Sequence, residues 1–390
     1  MNPRFAALLN RVQFIALGLG IVALGASALG GALGNPQQFF FSYLFAYLFW
    51  LGLSLGCFVV TMIHLLTGGR WGYPTRRFLE AGYLVLPLML VLLIPVFLGL
   101  HALYPWARPA EVAAEKALQQ LHVYENGAAY IARQIFFLAV FIGLAVYLRL
   151  WSLQQDATQD AAPTRKARTL SGPGIVVYGL LGTFATVDWI MSLEKQWYST
   201  MLAVIVLIGQ ILTAYAFSVL LLTMFRQQPE IAKVVNTTHY HHLGNLLLTF
   251  VLFWTYVSFG QLLIIYSGDL PHELAWYLHR IAHSWKLVIG AVALFHFFLP
   301  FFLLLFRTVK RHVISLTILA AMLFIMHLVD TYWLVMPTFH PDGVSVSWMD
   351  FTAPIGVGGL WVSWFLWRLK AAPLLPQTDP GLQFSFVYGH

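Results

Sequence analysis

The sequence predicts an all-α integral membrane protein of about ten transmembrane helices, and three observations support this. Hydrophobic residues make up 59% of the 390 residues and charged residues only 9%, whereas soluble domains carry roughly 25% charged residues. The mean hydropathy is +0.75. The apolar residues also form continuous runs, unlike the alternating segments of roughly 10 residues that build a membrane β-barrel.

Ten apolar stretches are long enough to span, since a helix needs about 20 apolar residues to cross the hydrocarbon core. They are 12–33, 39–66, 78–103, 128–151, 173–192, 200–225, 240–267, 284–306, 312–337 and 348–369. Single prolines within them, such as Pro87, Pro95 and Pro300, predict kinks, because neighbouring helices can satisfy the backbone groups that proline frees. The polar segment at 152–172 is expected to be a solvated linker.

The first stretch also has features of a signal peptide. Arg4 and Arg11 precede the apolar run, and the run contains the small-residue triplet Ala26-Ser27-Ala28. A signal peptide has an apolar core of about 7–15 residues, and this run is longer. We therefore interpret it as a retained first helix.

The basic residues predict the orientation of the spans. With the N-terminus inside, 16 of the 22 Lys and Arg residues fall in cytoplasmic segments. The six on the outer side are Arg108, Lys116, Arg133, Lys195, Arg280 and Lys286. Cytoplasmic loops carry an excess of positive charge, so we expect both termini on the cytoplasmic side and an even number of spans.

An internal repeat is indicated by polar landmarks. The second to fifth spans and the sixth to ninth have the same orientation, and in each set a basic residue (Arg133 or Lys286) opens the third span. An aspartate (Asp188 or Asp330) stands near the end of the fourth. The sequence therefore predicts two like-oriented four-helix bundles, with the first and tenth helices at the periphery.

These landmarks set the domain limits. The first helix and its loop occupy 1–38, the first bundle 39–195, the second bundle 196–340 and helix ten 341–372. A cytoplasmic tail at 373–390 is too polar to span but contains Phe384, Phe386 and Tyr388. The tail is either loose or packed by these aromatic residues on a neighbouring subunit.

Ionisable residues within the spans are the sharpest functional signal, because each is costly unless it faces a partner or water. His327 and Asp330 are one turn apart and share a helix face. Carboxylates and imidazoles both accept and release protons. The candidates for a proton path, spread over the depth of the membrane, are Asp188, His327, Asp330, His296, Glu80 and His64.

A structural interpretation stands beside this one. Arg133 and Lys286 are candidate ion-pair partners of Asp188 and Asp330, and such pairs would fix helix packing without moving a proton. Glu80 is close enough in sequence to Arg76 and Arg77 to pair with them. For His64 and His296, a hydrogen-bonded histidine of the core is the preferred interpretation.

Composition and spacing exclude several kinds of site. Cys57 is the only cysteine, which rules out an intramolecular disulfide, a Cys-ligated iron–sulfur cluster and a four-thiolate zinc site. A transmembrane haem needs facing histidines at matched depth, whereas His64 and His101 fall at opposite membrane faces. The net charge of +7 is assigned to cytoplasmic loops, so a nucleic-acid partner is not expected.

Two runs of sequence resemble a known family. They comprise SY at 42–43, FWLG at 49–52 and HLLTGGRWG at 64–72, and GTFATVDWIMSL at 182–193. The chain resembles, over nearly its whole length, the ActF-type membrane subunits of bacterial alternative complex III, which are NrfD-like (polysulfide-reductase-type) proteins. The resemblance implies two four-helix bundles flanked by a peripheral helix at each end, in the bacterial cytoplasmic membrane.

The resemblance also implies a function. It places the chain in a quinol:electron-acceptor oxidoreductase complex of a respiratory or photosynthetic chain, which delivers electrons to cytochrome c or a copper protein. The implied partners are a homologous quinol-binding membrane subunit, an outer-face iron–sulfur subunit, multihaem cytochrome c subunits, small membrane subunits and lipid. Haem and iron–sulfur centres belong to these partners, and this subunit has no redox centre of its own.

Two roles follow for the subunit itself, a transmembrane proton path and a quinone site. Tyr43, Tyr130, Arg133 and Asp188 are the residues expected to line such a quinone site. A secondary transporter and a purely structural membrane anchor are the alternative functions. Transporter repeats are often inverted and use broken helices at the midplane, whereas these repeats have the same orientation.

Overall fold

The computed structural model describes residues 3–158, 160–195 and 197–376. The protein is 85% helix, and no strand occurs in the described residues. Phe384, Phe386 and Tyr388 of the tail lie outside these residues, so the predicted packing on a neighbour is not tested.

Nine helices in the described part of the chain are long and apolar enough to cross a membrane, and the chain is a multi-pass integral membrane protein. They are α1 (Pro3–Leu33), α2 (Pro36–Thr67), α3 (Gly72–Leu98), α4 (Gly127–Thr158), α5 (Ala162–Leu193), α6 (Thr200–Phe225), α7 (Thr237–Gly268), α8 (Trp285–Leu305) and α9 (Val313–Thr338). The expected linker at 152–172 is wrong, because α4 and α5 extend into it from both sides.

The tenth predicted span is a helix of 22 residues, α10 (Met349–Lys370). Asp350 lies in its first turn and Arg368 and Lys370 lie in its last turn. These charges complement the helix dipole. Its length would suffice to cross the hydrocarbon core.

Short helices connect the spans or interrupt them. Between α3 and α4 they are Leu100–Leu103, the 3-10 turn Pro105–Ala107, Pro109–Ala114 and Lys116–Leu121; the others are Met191–Leu193, Pro229–Ala232, Pro271–Ile281, Arg307–Arg311 and Met336–Thr338. Within α8, the stretch Ala293–Phe298 is π-helical. Such π-helical turns are frequent at functional sites.

Proline divides α3 into three segments. They are Gly72–Tyr83, Leu86–Val91 and Ile94–Leu98, with Pro87 and Pro95 at the start of the second and third. Proline removes a backbone donor and leaves a carbonyl of the preceding turn without its partner. Two side chains of α2 bind carbonyl groups of this region. The Tyr43 hydroxyl donates to the Leu92 carbonyl (2.5 Å) and the Tyr47 hydroxyl to the Met89 carbonyl (3.1 Å).

Helices α2 and α6 form the centre of the molecule and pack against each other. A Cβ atom at Gly56 of α2 would lie 2.1 Å from the Gln210 carbonyl oxygen of α6, and small residues permit this close approach of membrane helices. Helices α3 and α5 pack on α2, and α4 packs on α5. In the same way α7 and α9 pack on α6, and α8 packs on both of them.

Helix α1 packs mainly along α10. Glycines line the contact: a Cβ atom at Gly20 would lie 2.7 Å from the Leu360 backbone nitrogen, and one at Gly359 would lie 2.5 Å from the Ala16 carbonyl oxygen. The opposite side of α1 is exposed. The two helices therefore form a pair beside the central group, joined by backbone proximity.

Candidate functional site

Arg133 of α4 and Asp188 of α5 form a two-point ion pair. The Arg133 Nε and Nη2 atoms each lie 2.9 Å from a carboxylate oxygen, a geometry that adds strength and fixes orientation. The Gln134 side-chain amide also donates to Asp188 Oδ2 (2.6 Å), and the Trp189 indole donates to the Gln134 carbonyl oxygen (2.6 Å). Asp188 is therefore held by three hydrogen bonds while almost fully buried.

The loop before α4 completes this ion pair. The Arg133 guanidinium lies 3.8 Å from the centre of the Tyr124 ring and donates to the Tyr124 carbonyl oxygen (2.7 Å). Beside it, Glu125 is half-buried just outside the span. Burial, together with the nearby Asp188 carboxylate, raises the pKa of Glu125 to about 7, and Arg133 opposes the shift. This loop is at the end of the molecule predicted to face outward.

Tyr43 and Tyr130, the other expected quinone-site residues, have their hydroxyl groups bonded elsewhere. The Tyr130 hydroxyl lies 3.2 Å from the Tyr104 hydroxyl, and Tyr104 donates to the Trp189 carbonyl (3.3 Å). Tyr43 binds the proline-broken region of α3, as described above. Within the described chain, no hydrogen bond joins either tyrosine to Arg133 or Asp188.

Glu80 lies at the opposite, predicted cytoplasmic end and is surrounded by donors. Four side chains donate to its carboxylate at 2.5–3.1 Å: Arg76, Arg77, Arg149 and Ser152. Arg77 also forms an ion pair with Asp156. Three buried arginines share two carboxylates here, so this cluster, which we call the Glu80 cluster, has a net positive charge. A buried carboxylate with every lone-pair direction occupied is suited to holding helices together.

His64 supports a turn at the same end. Its Nε2 atom lies 3.1 Å from the Gly69 carbonyl oxygen, and its ring meets the edges of Trp71 and Tyr73. A Cβ atom at Gly72 would lie 1.8 Å from the ring. These contacts place His64 at the turn between α2 and α3.

His296, His327 and Asp330 form a row inside the second set of helices. The rings of His296 and His327 are 6.0 Å apart and nearly parallel, and His327 Nδ1 lies 3.7 Å from Asp330 Oδ2. Among the described residues, neither nitrogen of His296, nor His327 Nδ1, nor Asp330 Oδ2 has a hydrogen-bond partner. All three side chains are buried. The π-helical stretch of α8 carries His296 into this row.

Lys286, the candidate partner of Asp330, does not reach it. Its side chain is exposed, and no ion pair joins it to Asp330 in the part of the chain that the structure describes. The two aspartates therefore differ: Asp188 accepts three hydrogen bonds, whereas Asp330 Oδ2 accepts none from the described residues and has His327 Nδ1 at 3.7 Å.

A cavity of about 630 Å³ opens beside Asp330. Its walls are mainly aromatic and aliphatic side chains of α7, α8, α9 and the helix Pro271–Ile281; Ser258, Gln261 and Asp330 are polar groups in its lining. Both amide atoms of Gln261, which is 2% exposed, lack a hydrogen-bond partner among the described residues. We call this space the Asp330 cavity.

Trp254, Ser258 and Gln261 were not singled out from the sequence. They are spaced four and three residues apart, which places them on one face of a helix. The Trp254 ring meets His296 edge-on with centroids 4.4 Å apart. A search for uncharged polar residues at helical spacing would have found this face of α7.

Arg280 is a further buried charge that the sequence did not distinguish. It forms an ion pair with Glu194 (3.1 Å) and donates to the Leu334 carbonyl (3.0 Å). Its guanidinium lies 3.9 Å from the centre of the Trp276 ring, which lines the Asp330 cavity. Burial lowers the pKa of Arg280 to about 10, and Glu194 opposes the shift. Arg280 thus positions one wall of the cavity while remaining charged at neutral pH.

Comparison with known proteins identified no family: no protein-family model matches the chain, and no curated protein matches it significantly. Within the described residues, no group of three or more His, Cys, Asp or Glu side chains is arranged to hold a metal ion. The fold is that of a multi-pass, all-helical membrane protein.

Proposed function

We propose that this chain is a membrane subunit of a bacterial quinol:electron-acceptor oxidoreductase complex of the alternative complex III type, and that it carries protons across the membrane. The runs at 42–72 and 182–193 support this family. In this proposal α10 is the tenth span, both termini are cytoplasmic, and α2–α5 and α6–α9 are the two bundles. The haem and iron–sulfur centres lie in partner subunits.

The row of His296, His327 and Asp330 is the observation that supports the proton path. A relay group must gain and lose a proton without breaking a strong interaction, and these three side chains have unpaired atoms. Buried ionisable groups of this kind in a membrane protein mark proton relays or ion pathways. The distances of 3.7 and 6.0 Å along the row are spans that a water molecule or a side-chain rotation can bridge.

A structural role is favoured for the other buried charges. The carboxylates of Asp188 and Glu80 each accept three or more hydrogen bonds from neighbouring side chains. Breaking a buried ion pair costs about 3–5 kcal/mol. If Asp188 or Glu80 carried the proton, this cost would arise each time a proton crossed the membrane. We therefore assign these two sites to helix packing and the second bundle to proton movement.

The test is proton release by the purified complex in sealed proteoliposomes, driven by a short-tailed quinol and a soluble electron acceptor. We expect Asp330→Asn and His327→Gln to lower the number of protons released per electron at least twofold. Electron transfer under uncoupled conditions should remain near that of the wild type. The exposed Asp342→Asn is the matched control.

Two results would contradict the proposal. Wild-type proton release in both variants would exclude the row as a path. Purification of the chain without any cytochrome would exclude membership of the redox complex, and it would favour the transporter alternative.

A further inference from the structure

The Asp330 cavity has the size and lining of a site for a flat apolar molecule. Its volume of about 630 Å³ is within the range of roughly 300–1,000 Å³ usual for ligand pockets. Trp276, Tyr277, Phe297 and Trp333 are among its walls. Aromatic walls favour stacked or edge-on contact with another ring.

Four buried polar groups at the cavity lack partners within the described chain: Trp254 Nε1, Ser258 Oγ, both amide atoms of Gln261, and Asp330 Oδ2. An unsatisfied buried polar group costs about 1–3 kcal/mol. The indole only donates, an ionised carboxylate only accepts, and the amide and hydroxyl do both. The complementary ligand therefore carries hydroxyl or carbonyl groups on an apolar body.

The mouth of the cavity is apolar and opens at the exposed surface of the helices. Tyr256, Phe259, Leu262 and Phe298 line it, and all four are exposed by more than 40% of their surface. These residues belong to α7 and α8, which are membrane-spanning helices. A ligand would thus enter from the lipid, with a hydrocarbon tail left between α7 and α8.

We propose that the Asp330 cavity binds the head group of a quinol or quinone, with one ring oxygen toward Asp330 and another toward Gln261. This inference rests on the proposed function, which supplies a quinol as the substrate of the complex. An acyl chain could fill the apolar part but would leave the polar atoms unpaired. Only binding is proposed, and no electron leaves the ring in this site.

The location differs from the one expected from the sequence. In the first bundle, the hydroxyls of Tyr43 and Tyr130 and the carboxylate of Asp188 already have protein partners. In the second bundle, Oδ2 of the corresponding aspartate and both amide atoms of Gln261 have no hydrogen-bond partner in the described part of the chain, and the two side chains line one cavity. Bound quinol would also lie next to His327, at one end of the histidine–aspartate row.

The test uses the full chain in lipid nanodiscs and a photoreactive azidoquinone with a short tail. After illumination we expect the label on peptides containing residues 254–262, 293–298 or 330–334. Gln261→Leu should reduce labelling at least fivefold, whereas Gln154→Leu, at an exposed position, should not. Labelling of the peptides that contain Tyr43, Tyr130 or Asp188 would overturn the inference. So would labelling of the cavity that Gln261→Leu leaves unchanged.

A stability measurement separates loss of binding from loss of folding. Because neither amide atom of Gln261 has a hydrogen-bond partner among the described residues, Gln261→Leu should raise the unfolding temperature of the quinone-free chain. A lowered unfolding temperature would show that the amide has a structural partner, and would count against the site. Competition by excess decyl-tailed benzoquinone, but not by phospholipid, is the expected specificity; equal competition by phospholipid would identify the cavity as an acyl-chain site.

The two proposals can fail separately. If Asp330→Asn lowers proton release but the azidoquinone does not label the cavity, the proton path stands and the quinone site is wrong. If the chain binds quinone at Gln261 but purifies without cytochromes, the quinone site stands and membership of the redox complex is wrong.

Discussion

His327 Nδ1 lies 3.7 Å from Asp330 Oδ2, too far for a hydrogen bond, although the two residues are one turn apart on α9. On α5, the aspartate with the matching sequence position, Asp188, is bound by arginine at 2.9 Å. The two halves of the chain thus carry similar landmarks with different chemistry. One aspartate is fixed in an ion pair, and the other remains able to exchange partners.

The Arg133–Asp188 pair is expected to contribute strongly to stability. Arg133→Gln should lower the free energy of unfolding by about 3 kcal/mol, because it leaves a buried carboxylate without its cation. Lys286→Gln, in the first turn of α8, should change it by less than about 0.5 kcal/mol, since Lys286 is exposed. Thermal unfolding in detergent, compared between the two variants, measures the difference; equal effects would show that the pair is not stabilising.

The Glu80 cluster should be the most sensitive charged site of the predicted cytoplasmic end. Glu80→Gln removes the carboxylate that three arginines share, and we expect a loss of at least about 3 kcal/mol together with low yield of folded protein. Adding Arg149→Leu to this variant should recover part of the loss, because it removes one of the uncompensated charges. A double variant no better than the single one, by size-exclusion profile and unfolding temperature, would argue against this electrostatic account.

Glu125 should make the stability of the protein depend on pH near neutrality. Its pKa in the folded protein is about 7, whereas an exposed glutamate titrates near 4.3. The folded state therefore binds a proton that the unfolded chain has released, so stability falls as the pH rises from about 4.5 to 7 and then levels off. Glu125→Gln should remove this decline, so that the variant is more stable than the wild type at pH 8. If the unfolding temperatures of the wild type and of Glu125→Gln changed with pH in the same way across pH 4.5–8, this prediction would be wrong.

Two glycine substitutions are expected to have opposite effects on stability. One is at the contact between α2 and α6, and the other is at an open position on α4. Gly56→Ala would place a Cβ atom 2.1 Å from the Gln210 carbonyl oxygen, and overpacking of this kind costs about 1–3 kcal/mol. Gly143→Ala adds a Cβ atom with nothing within 4 Å, and alanine is favoured over glycine in a helix by about 0.5–1 kcal/mol. The unfolding temperature should fall for the first variant and rise for the second. A neutral Gly56→Ala would mean that the two helices can separate without cost.

The sequence was sufficient to predict the spans because continuous apolar runs are a local signal. Nine of the ten predicted spans are, among the described residues, long and apolar enough to cross a membrane, and α10 is not among these nine. Arg133 was proposed as a partner of Asp188 because the loops place both at one membrane face, and the structure has that pair. Lys286 and Asp330 had the same sequence relationship, yet side-chain direction, which hydropathy does not contain, keeps them apart.

The Asp330 cavity could not be predicted from the sequence, for a different reason. Gln261 and Ser258 carry no charge, so a search for ionisable residues within spans passes over them. The π-helical turn that brings His296 toward His327 also depends on packing among α7, α8 and α9. Whether a buried amide is paired is a property of its neighbours, and only the assembled helices reveal that Gln261 is not.

The proline breaks of α3 bear on how the protein is made. Its interrupted turns expose carbonyl groups, and in lipid each unsatisfied group costs several kcal/mol. Tyr43 and Tyr47 of α2 bind two such carbonyls, so the third helix is best accommodated when the second is already beside it. We therefore expect α3 to insert into a membrane less well without α2 than beside it.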